Sequence, residues 1–211
     1  MYYDFFVKIG DEEEVDKAVV FLKKHGFVGA CFFRKLPRNF PDKFRVLKGV
    51  ELVANSLKEL KNKLKRSHGN FIVLKSKNYS LTKVACQRAL VDAVNVVKIN
   101  DVIARFASLT KVSLLVDFNL ILKSKGNRRS KILAKLSKSC EIAQKKGMPI
   151  IIGSGATNFY ELRALSNLLA FSKFLGIREY KKPFYFAQRE IIRREEAKEK
   201  GKYIMPGVVV E

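Results

Sequence analysis

The stretch MPIIIGSGATNFYELR, residues 148–163, has the order of a strand, a glycine turn and the start of a helix. Residues 149–152 are apolar without alternation, as in a strand that is covered on both faces. Asn158 and Glu161 have the spacing of a helix capping box, which accounts for the polar residues after the turn. The backbone of Gly153-Ser154-Gly155 could also hold a phosphate, because free N–H groups at a helix start point toward an anion. Both interpretations of this turn are open.

The same order of strand and helix recurs along the chain. Seven apolar segments predict strands, and most are followed by a helical pattern: residues 2–9, 27–33, 44–54, 71–77, 91–97, 112–119 and 149–154. Repeated units of this kind imply a parallel sheet, which can be an open doubly wound sheet or a closed barrel. The number of units favours a TIM-like (β/α) barrel with seven or eight parallel strands. We predict one domain, residues 1–211, with a basic helix and tail over about 184–211.

The composition indicates the cellular compartment in which we expect the protein. No apolar run approaches the roughly 18 residues of a membrane span, and the acidic start of the chain predicts no secretory signal. Cys31, Cys86 and Cys140 are odd in number and far apart, so they predict reduced thiols rather than a disulfide framework or a zinc site. We expect a cytoplasmic protein with no membrane partner.

Positive charge is the most unusual property of the sequence. The 42 Lys and Arg against 20 Asp and Glu give a net charge of +22, and residues 34–147 hold 27 of the basic residues but only 7 of the acidic ones. A concentrated positive field favours polyanions, so nucleic acid is the expected partner. A solvated, lysine-rich surface with no such partner is the alternative.

Basic residues also follow the predicted strands. They come after the second, fourth and sixth strands and include Arg34, Lys35, Arg38, Lys75, Lys77, Lys123, Lys125, Arg128 and Arg129. The carboxyl ends of parallel strands meet at one face, where barrel enzymes carry their catalytic groups. This face is therefore expected to bind phosphates. Tyr79, within KNYSL, is a candidate stacking partner for a base, and a residue that only fills a turn is the favoured alternative.

Two arginines lie in apolar helical patterns. Arg88 shares a stripe with Leu81 and Val84, and Arg105 flanks Val102 and Leu109. A charge in such a stripe needs a partner. Each arginine either pairs internally with a carboxylate such as Asp92 or Asp117, or is aimed at a phosphate, which its planar group suits.

A metal-dependent phosphoesterase is the competing function. Asp4, Glu51, Asp92 and Asp117 lie in or beside strands and could hold metals. The two histidines, His25 and His68, each precede a glycine, which is typical of a helix C-terminus rather than of a metal site. No P-loop, HExxH or GxSxG motif is present. A general RNA chaperone is a third alternative.

Three segments together resemble the ribonuclease P protein component 3 family. The first is the strand from Tyr3 to Val7, and the second is the Arg88 helix that leads into residues 91–94. The third is Ile152-Gly153-Ser154-Gly155-Ala156, together with a Met205-Pro206-Gly207-Val208 tail. The resemblance implies an archaeal TIM-like barrel related to the polymerase and histidinol phosphatase metallohydrolases. The His-x-His of those enzymes is replaced here by Asp4-Phe5-Phe6.

The resemblance also implies the function. The family's proteins are cofactors of a catalytic RNA that removes the 5′ leader of precursor tRNA, so the chain alone is not expected to be catalytic or to bind metal. Mg²⁺ would serve the catalytic RNA. Direct pairing with component 2 is implied, with components 1 and 4 in the same particle. We predict RNA contact by eight residues: Arg38, Lys75, Lys77, Arg88, Arg105, Lys123, Arg128 and Arg129.

Overall fold

Seven parallel strands form the centre of the protein. The computed structural model describes residues 1–199, 203–205 and 208–209. The strands are β1 (Tyr3–Val7), β2 (Gly29–Phe32), β3 (Arg45–Val53), β4 (Phe71–Lys75), β5 (Ala93–Val94), β6 (Ser113–Asp117) and β7 (Ile150–Gly153). Their order in the sheet follows the chain from β1 to β7, which a doubly wound sheet would not show.

The first and last strands come together and nearly close the sheet into a barrel. The N–H of Gly155, just after β7, donates to the carbonyl oxygen of Phe6 at 2.8 Å, and the N–H of Lys8 donates to that of Ala156 at 2.8 Å. The predicted TIM-like barrel of seven parallel strands is thereby confirmed.

Helices surround the barrel. They are α1 (Glu12–Lys24), α2 (Leu57–Lys65), α3 (Tyr79–Gln87), α4 (Asp101–Thr110), α5 (Phe118–Leu122), α6 (Gly126–Lys146), α7 (Leu165–Phe174) and α8 (Phe186–Glu199). Side-chain caps fix several of their starts: Asp11 accepts from the N–H of Glu14, and Ser56 from that of Glu59. The acidic first turn and basic last turn of α1 match its macrodipole.

Some predicted boundaries were wrong. The segment after β7 begins with a 3₁₀ turn, Phe159–Glu161, and α7 starts only at Leu165, because Leu162 and Ala164 are extended. Asn158 does cap the turn, accepting from the N–H of Glu161 at 3.2 Å. The segment after β6 bends at once into α5, since the Asp117 carboxylate accepts from the N–H of Leu120.

Two apolar layers hold the barrel together. The inner layer fills the barrel with side chains such as Phe5, Phe71 and Leu115, and Ile191 and Ile192 of α8 join it. The outer layer lies between the strands and the helices. Because Arg45 at the start of β3 pairs with Glu196 of α8 at 2.5 Å, α8 closes the end of the barrel where the strands begin.

The cysteines are distributed over both layers. Cys31 belongs to the inner layer, and Cys86 and Cys140 to the outer one. All three are free and buried, whereas the sequence left open whether these thiols lie in the core or at the surface. Burial raises the pKa of Cys86 and of Cys140 to about 12.

The C-terminal segment was predicted as a basic helix and tail over about 184–211. The helix is α8, and two short strands, β8 (Tyr203–Met205) and β9 (Val208–Val209), pair antiparallel after it. The rest of that predicted segment, residues 200–202, 206–207 and 210–211, lies outside the described residues.

We predict that Gly155→Ala destabilises the barrel by about 3 kcal/mol or more. Gly155 has a φ of +66°, and an added Cβ would collide with the Asp117 carboxylate and lie 3.1 Å from Cβ of Asn119. Urea unfolding followed by circular dichroism measures the change. Gly126→Ala is the matched control, because Gly126 has a φ of +50° but open space around it, and it should cost only about 1 kcal/mol. Equal losses in the two variants would contradict the role of this closure.

Candidate nucleic-acid interface

Most of the predicted cations lie at the end of the barrel where the strands finish, which we call the upper face. The loops after β2, β4 and β6, with the start of α6, bring six of the eight predicted residues there, all exposed: Arg38, Lys75, Lys77, Lys123, Arg128 and Arg129. Lys98, in the loop after β5, is also exposed there and was missed, since a single lysine in an otherwise apolar segment gives little signal.

Arg88 and Arg105 lie elsewhere. Helix α3 ends at Gln87, so Arg88 is its exposed C-cap, at the end of the helix away from the upper face. Arg105 is exposed on the outer surface of α4, between Val102 (43% exposed) and Leu109 (73% exposed). The expectation that both arginines lie in buried stripes was wrong. Leu81 of the first stripe is buried, but α3 ends before Arg88, and the stripe of Val102 and Leu109 faces outward. Contact of the two arginines with RNA stays a prediction.

Several upper-face cations already have partners in the protein. Glu12, at the start of α1, forms ion pairs with Lys35 at 2.8 Å and with Arg38. Lys123 pairs with Glu161 at 2.9 Å. Arg129 donates through Nε to the carbonyl oxygen of Ser124 at 2.6 Å. These side chains hold the loops in place as well as carrying charge.

Other upper-face cations have no acidic partner within 4 Å in the part of the chain that the structure describes. They are Lys75, Lys77, Lys98, Lys125 and Arg128. Their charge is available to an external anion, whereas a paired cation must first give up its carboxylate. The unpaired group is therefore the better candidate for phosphate contact.

Glu161 organises the loop that follows β7. Its Oε2 accepts from the N–H of Thr157 at 2.8 Å, from the Thr157 hydroxyl at 2.7 Å and from Nδ2 of Asn119 at 2.7 Å. Burial alone would raise the pKa of Glu161, but Lys123 and these hydrogen bonds outweigh it and lower the pKa to about 2. The carboxylate thus stays charged and keeps Lys123 in position.

A lysine occupies the mouth of the barrel at the centre of the upper face. Nζ of Lys8 lies 3.8 Å from Oε2 of Glu51, 3.8 Å from Oδ2 of Asp117 and 4.5 Å from the centre of the Phe6 ring. All three charged side chains are less than 20% exposed. In a barrel enzyme, charged groups at this position face the substrate, whereas here Lys8, Glu51 and Asp117 pair with one another.

Asp4 lies deeper in the barrel and connects β1 to the segment after β7. Its Oδ1 accepts from the N–H of Phe6 at 3.1 Å and from that of Ser154 at 3.0 Å, while its buried Oδ2 has no hydrogen-bond partner among the described residues. Burial is the main cause that raises the pKa of Asp4, and the hydrogen bonds from Ser154 oppose it.

The four carboxylates proposed for a metallohydrolase are not brought together. Asp92 precedes β5 and accepts from the N–H of Ile72 at 2.7 Å, at the end where the strands begin. Lys8 lies between Glu51 and Asp117. Among the described residues, no three His, Cys, Asp or Glu side chains are grouped as metal ligands would be. His25 caps α1 as predicted, but the cap of α2 is Arg66, so the prediction for His68 was wrong.

The turn Gly153-Ser154-Gly155 uses its backbone donors internally. The N–H of Ser154 donates to Asp4, that of Gly155 to Phe6, and that of Ala156 to Oγ of Ser154 at 3.4 Å. The geometry therefore gives this turn a role in closing the barrel. Phosphate binding at the turn stays a prediction from the sequence.

The fold and this distribution of charge define a cationic TIM-like barrel with a positively charged upper face and an internally paired mouth. Comparison with known proteins places it more narrowly. The profile of the RNase P subunit p30 family matches residues 1–200, and the chain belongs to that family.

Individual relatives agree with this assignment. Ribonuclease P protein component 3 of Methanosarcina mazei is 26% identical over 196 residues, which cover 84% of this chain and 82% of that protein. Its counterpart in Methanocaldococcus jannaschii is 26% identical over 138 residues, 61% of this chain and 60% of that protein. A chain in a cryo-EM structure of archaeal ribonuclease P with mature tRNA shares the fold, with a TM-score of 0.81 at 20% identity over 98% of this chain and 97% of that one.

The hydropathy of the helices gives no sign of a membrane span. None of the described helices is both long enough and apolar enough to cross a bilayer.

We predict that Lys8→Met lowers the free energy of unfolding by about 2–3 kcal/mol at pH 7, because it leaves two largely buried carboxylates without their cation. Burial, the largest cause, already raises the pKa of Asp117, and Lys8 opposes that rise. Without Lys8 the pKa should rise further, so Asp117 takes up a proton as the pH falls and the loss should shrink. Urea unfolding at pH 7 and at pH 5 tests this.

Lys17→Met is the control for Lys8→Met. Lys17 pairs with Glu13 at 3.8 Å, but both side chains are exposed, so we expect no measurable change. If Lys8→Met does not lower the free energy of unfolding at pH 7, or if the loss grows toward pH 5, the pairing of Lys8 with Glu51 and Asp117 does not stabilise the mouth.

Proposed function

We propose that the chain is an RNA-binding subunit of ribonuclease P that assists a catalytic RNA in removing the 5′ leader of precursor tRNA. Its membership of the p30 family carries this proposal. The upper face supports it, because unpaired lysines and arginines there would attract phosphates, while Lys8, Glu51 and Asp117 of the mouth pair with one another.

The physical role is to reduce the repulsion within a large RNA. A folded RNA brings its phosphates close together, and a protein with a net charge of +22 can neutralise part of that charge. Less Mg²⁺ is then needed by the RNA. Such binding depends strongly on salt and reads the shape and backbone of RNA helices more than their sequence.

The partners follow from this role. We propose direct pairing with ribonuclease P protein component 2, and assembly with components 1 and 4, the catalytic RNA and precursor tRNA in one cytoplasmic particle. The named relatives are component 3 proteins, and one structural match comes from a complex that contains tRNA, which supports an assembly of this kind. In this proposal catalysis and its Mg²⁺ belong to the RNA.

Two groups of cations would contribute differently. The unpaired Lys75, Lys77 and Arg128 would contact phosphates directly, whereas Lys123 and Arg38 would fix loops through Glu161 and Glu12. Substitution of a paired cation would break its ion pair with a carboxylate and disturb the loop, but it would not remove a direct contact with a phosphate. The unpaired group should therefore dominate the salt dependence.

Reconstituted cleavage of a precursor tRNA at low Mg²⁺ tests the proposed function. We expect strong activation of the cognate catalytic RNA when this protein and component 2 are both present, and little with either alone. Cleavage by the protein without the RNA would instead favour the metal-dependent phosphoesterase. No effect in any mixture would contradict the proposal, and equal binding of bulk, unrelated RNA would favour a general chaperone.

Alanine at Lys75, Lys77 or Arg128 should lower RNA affinity and reduce the slope of log K against log salt by about 0.7–0.9 for each lost phosphate contact. Binding to the cognate RNA would be measured by filter retention at several salt concentrations. Lys17→Ala on α1 is the matched control and should leave the slope unchanged. If these four variants all show the same slope as the wild type, the upper face does not supply the phosphate contacts.

A further inference from the structure

The connection from β2 to β3 differs from most others in the barrel. Residues 33–44, here called the crossover loop, pass along α1 without forming a helix. Loops on a protein surface are usually mobile, so an exposed aromatic residue on a loop whose backbone is fixed by hydrogen bonds calls for an explanation. The crossover loop contains one.

The backbone of the crossover loop is tied to α1 along its length. Oδ1 of Asp16 accepts from the N–H of Arg38 at 3.0 Å and from that of Asn39 at 3.5 Å. Further along, Nζ of Lys23 donates to the carbonyl oxygen of Asp42 at 3.2 Å. The loop therefore follows one face of the helix, since Asp16 and Lys23 are two turns apart.

Other features stiffen the same segment. Pro37 and Pro41 each fix one backbone torsion, and the N–H of Phe44 donates to the carbonyl oxygen of Pro41 at 3.0 Å, closing a turn. Phe44 and Pro37 are buried and anchor the loop against the barrel. The loop is already ordered before a ligand binds, so binding costs little conformational entropy of the loop.

On this ordered loop, Phe40 points outward. Its side chain is 52% exposed, although two prolines and three hydrogen bonds position the residues on both sides of it. Four cations lie within six residues of it along the loop: Arg34, Lys35, Arg38 and Lys43. An exposed ring on a loop that carries four cations and one carboxylate, Asp42, suits a ligand with both an aromatic face and a negative charge, which describes a nucleotide.

Resting on the proposed function, we propose that Phe40 is a stacking platform for an unpaired base of RNA. The phosphates beside that base would be held by Arg34 and Lys43, which form no ion pair among the described residues, whereas Lys35 and Arg38 are paired with Glu12. A protein partner would also cover an apolar side chain. The concentration of cations favours RNA, because a protein surface would need matching acidic residues to dock at this position.

The test compares single-stranded and double-stranded RNA. The probes are a ten-nucleotide single-stranded RNA with 2-aminopurine at its centre and a ten-base-pair RNA duplex. Stacking on Phe40 should quench 2-aminopurine fluorescence in the wild type. We expect Phe40→Ala to weaken binding of the single strand by about 5- to 100-fold with an unchanged salt slope, because stacking releases no counterions. Binding of the duplex should not change.

Two further variants separate stacking from general apolar contact. Phe40→Trp should keep the affinity and the quenching, whereas Phe40→Leu should lose both, since leucine has no π face. Phe174→Ala is the matched control, because Phe174 is 66% exposed at the end of α7, far along the chain from the crossover loop. It should bind both probes as the wild type does.

The outcomes are distinct. Wild-type affinity in Phe40→Ala, or in Phe40→Leu, would overturn the stacking proposal, and the latter would show a general apolar contact with the RNA in its place. If the wild type bound neither probe and did not activate the catalytic RNA, the proposed function itself would fail. A wild type that activates cleavage together with an inert Phe40→Ala substitution would refute the stacking site alone.

Discussion

The closure of the barrel depends on the contact between its first strand and the segment that follows its last. A single carboxylate oxygen of Asp4 accepts from N–H groups on both sides of that seam, those of Phe6 and Ser154. Gly155 and Lys8 continue the seam with backbone hydrogen bonds at 2.8 Å each. Because Asp117 packs directly against Gly155, the same seam sets the position of the mouth, and through Asn119 and Glu161 it also sets the position of Lys123.

The acidic residues of this basic protein are used largely as internal anchors. Residues 1–33 contain six of the twenty acidic side chains, and four of them lie within α1. Glu12 pairs with Lys35 and Arg38, Glu14 accepts from the N–H of Phe159 at 3.2 Å, and Asp16 holds the crossover loop. Negative charge is thus placed where it fastens cationic loops to the barrel, so that the remaining surface stays positive.

The sequence predicted the barrel because its strands are short apolar runs that recur in one order, a property local to each segment. It did less well where local pattern and long-range contact differ. Strand β5 was expected over 91–97 but pairs only at Ala93–Val94, and Arg88 was placed in a buried stripe although α3 ends just before it.

The mouth and the crossover loop were harder to foresee. The pairing of Lys8 with Asp117 joins residues more than one hundred positions apart, so no spacing in the sequence reveals it. The exposure of Phe40 follows from the path of the loop along α1. The sequence offered Tyr79 as a stacking residue or as a residue that fills a turn, and its hydroxyl accepts from Nδ2 of Asn100 at 2.7 Å. The basic character of the upper face was predictable, because residues that follow parallel strands share one end of a barrel.

The three buried cysteines have a consequence for how this molecule opens. Their raised pKa values and complete burial make the thiols unreactive while the fold is intact, since the thiolate is the reactive form. Cys31 lies inside the barrel, whereas Cys86 and Cys140 lie beneath the helices. Alkylation of Cys31 would therefore require the strands to separate, whereas alkylation of Cys86 or Cys140 would require α3 or α6 to move away from the barrel. The two alkylation rates would thus report on two different opening motions.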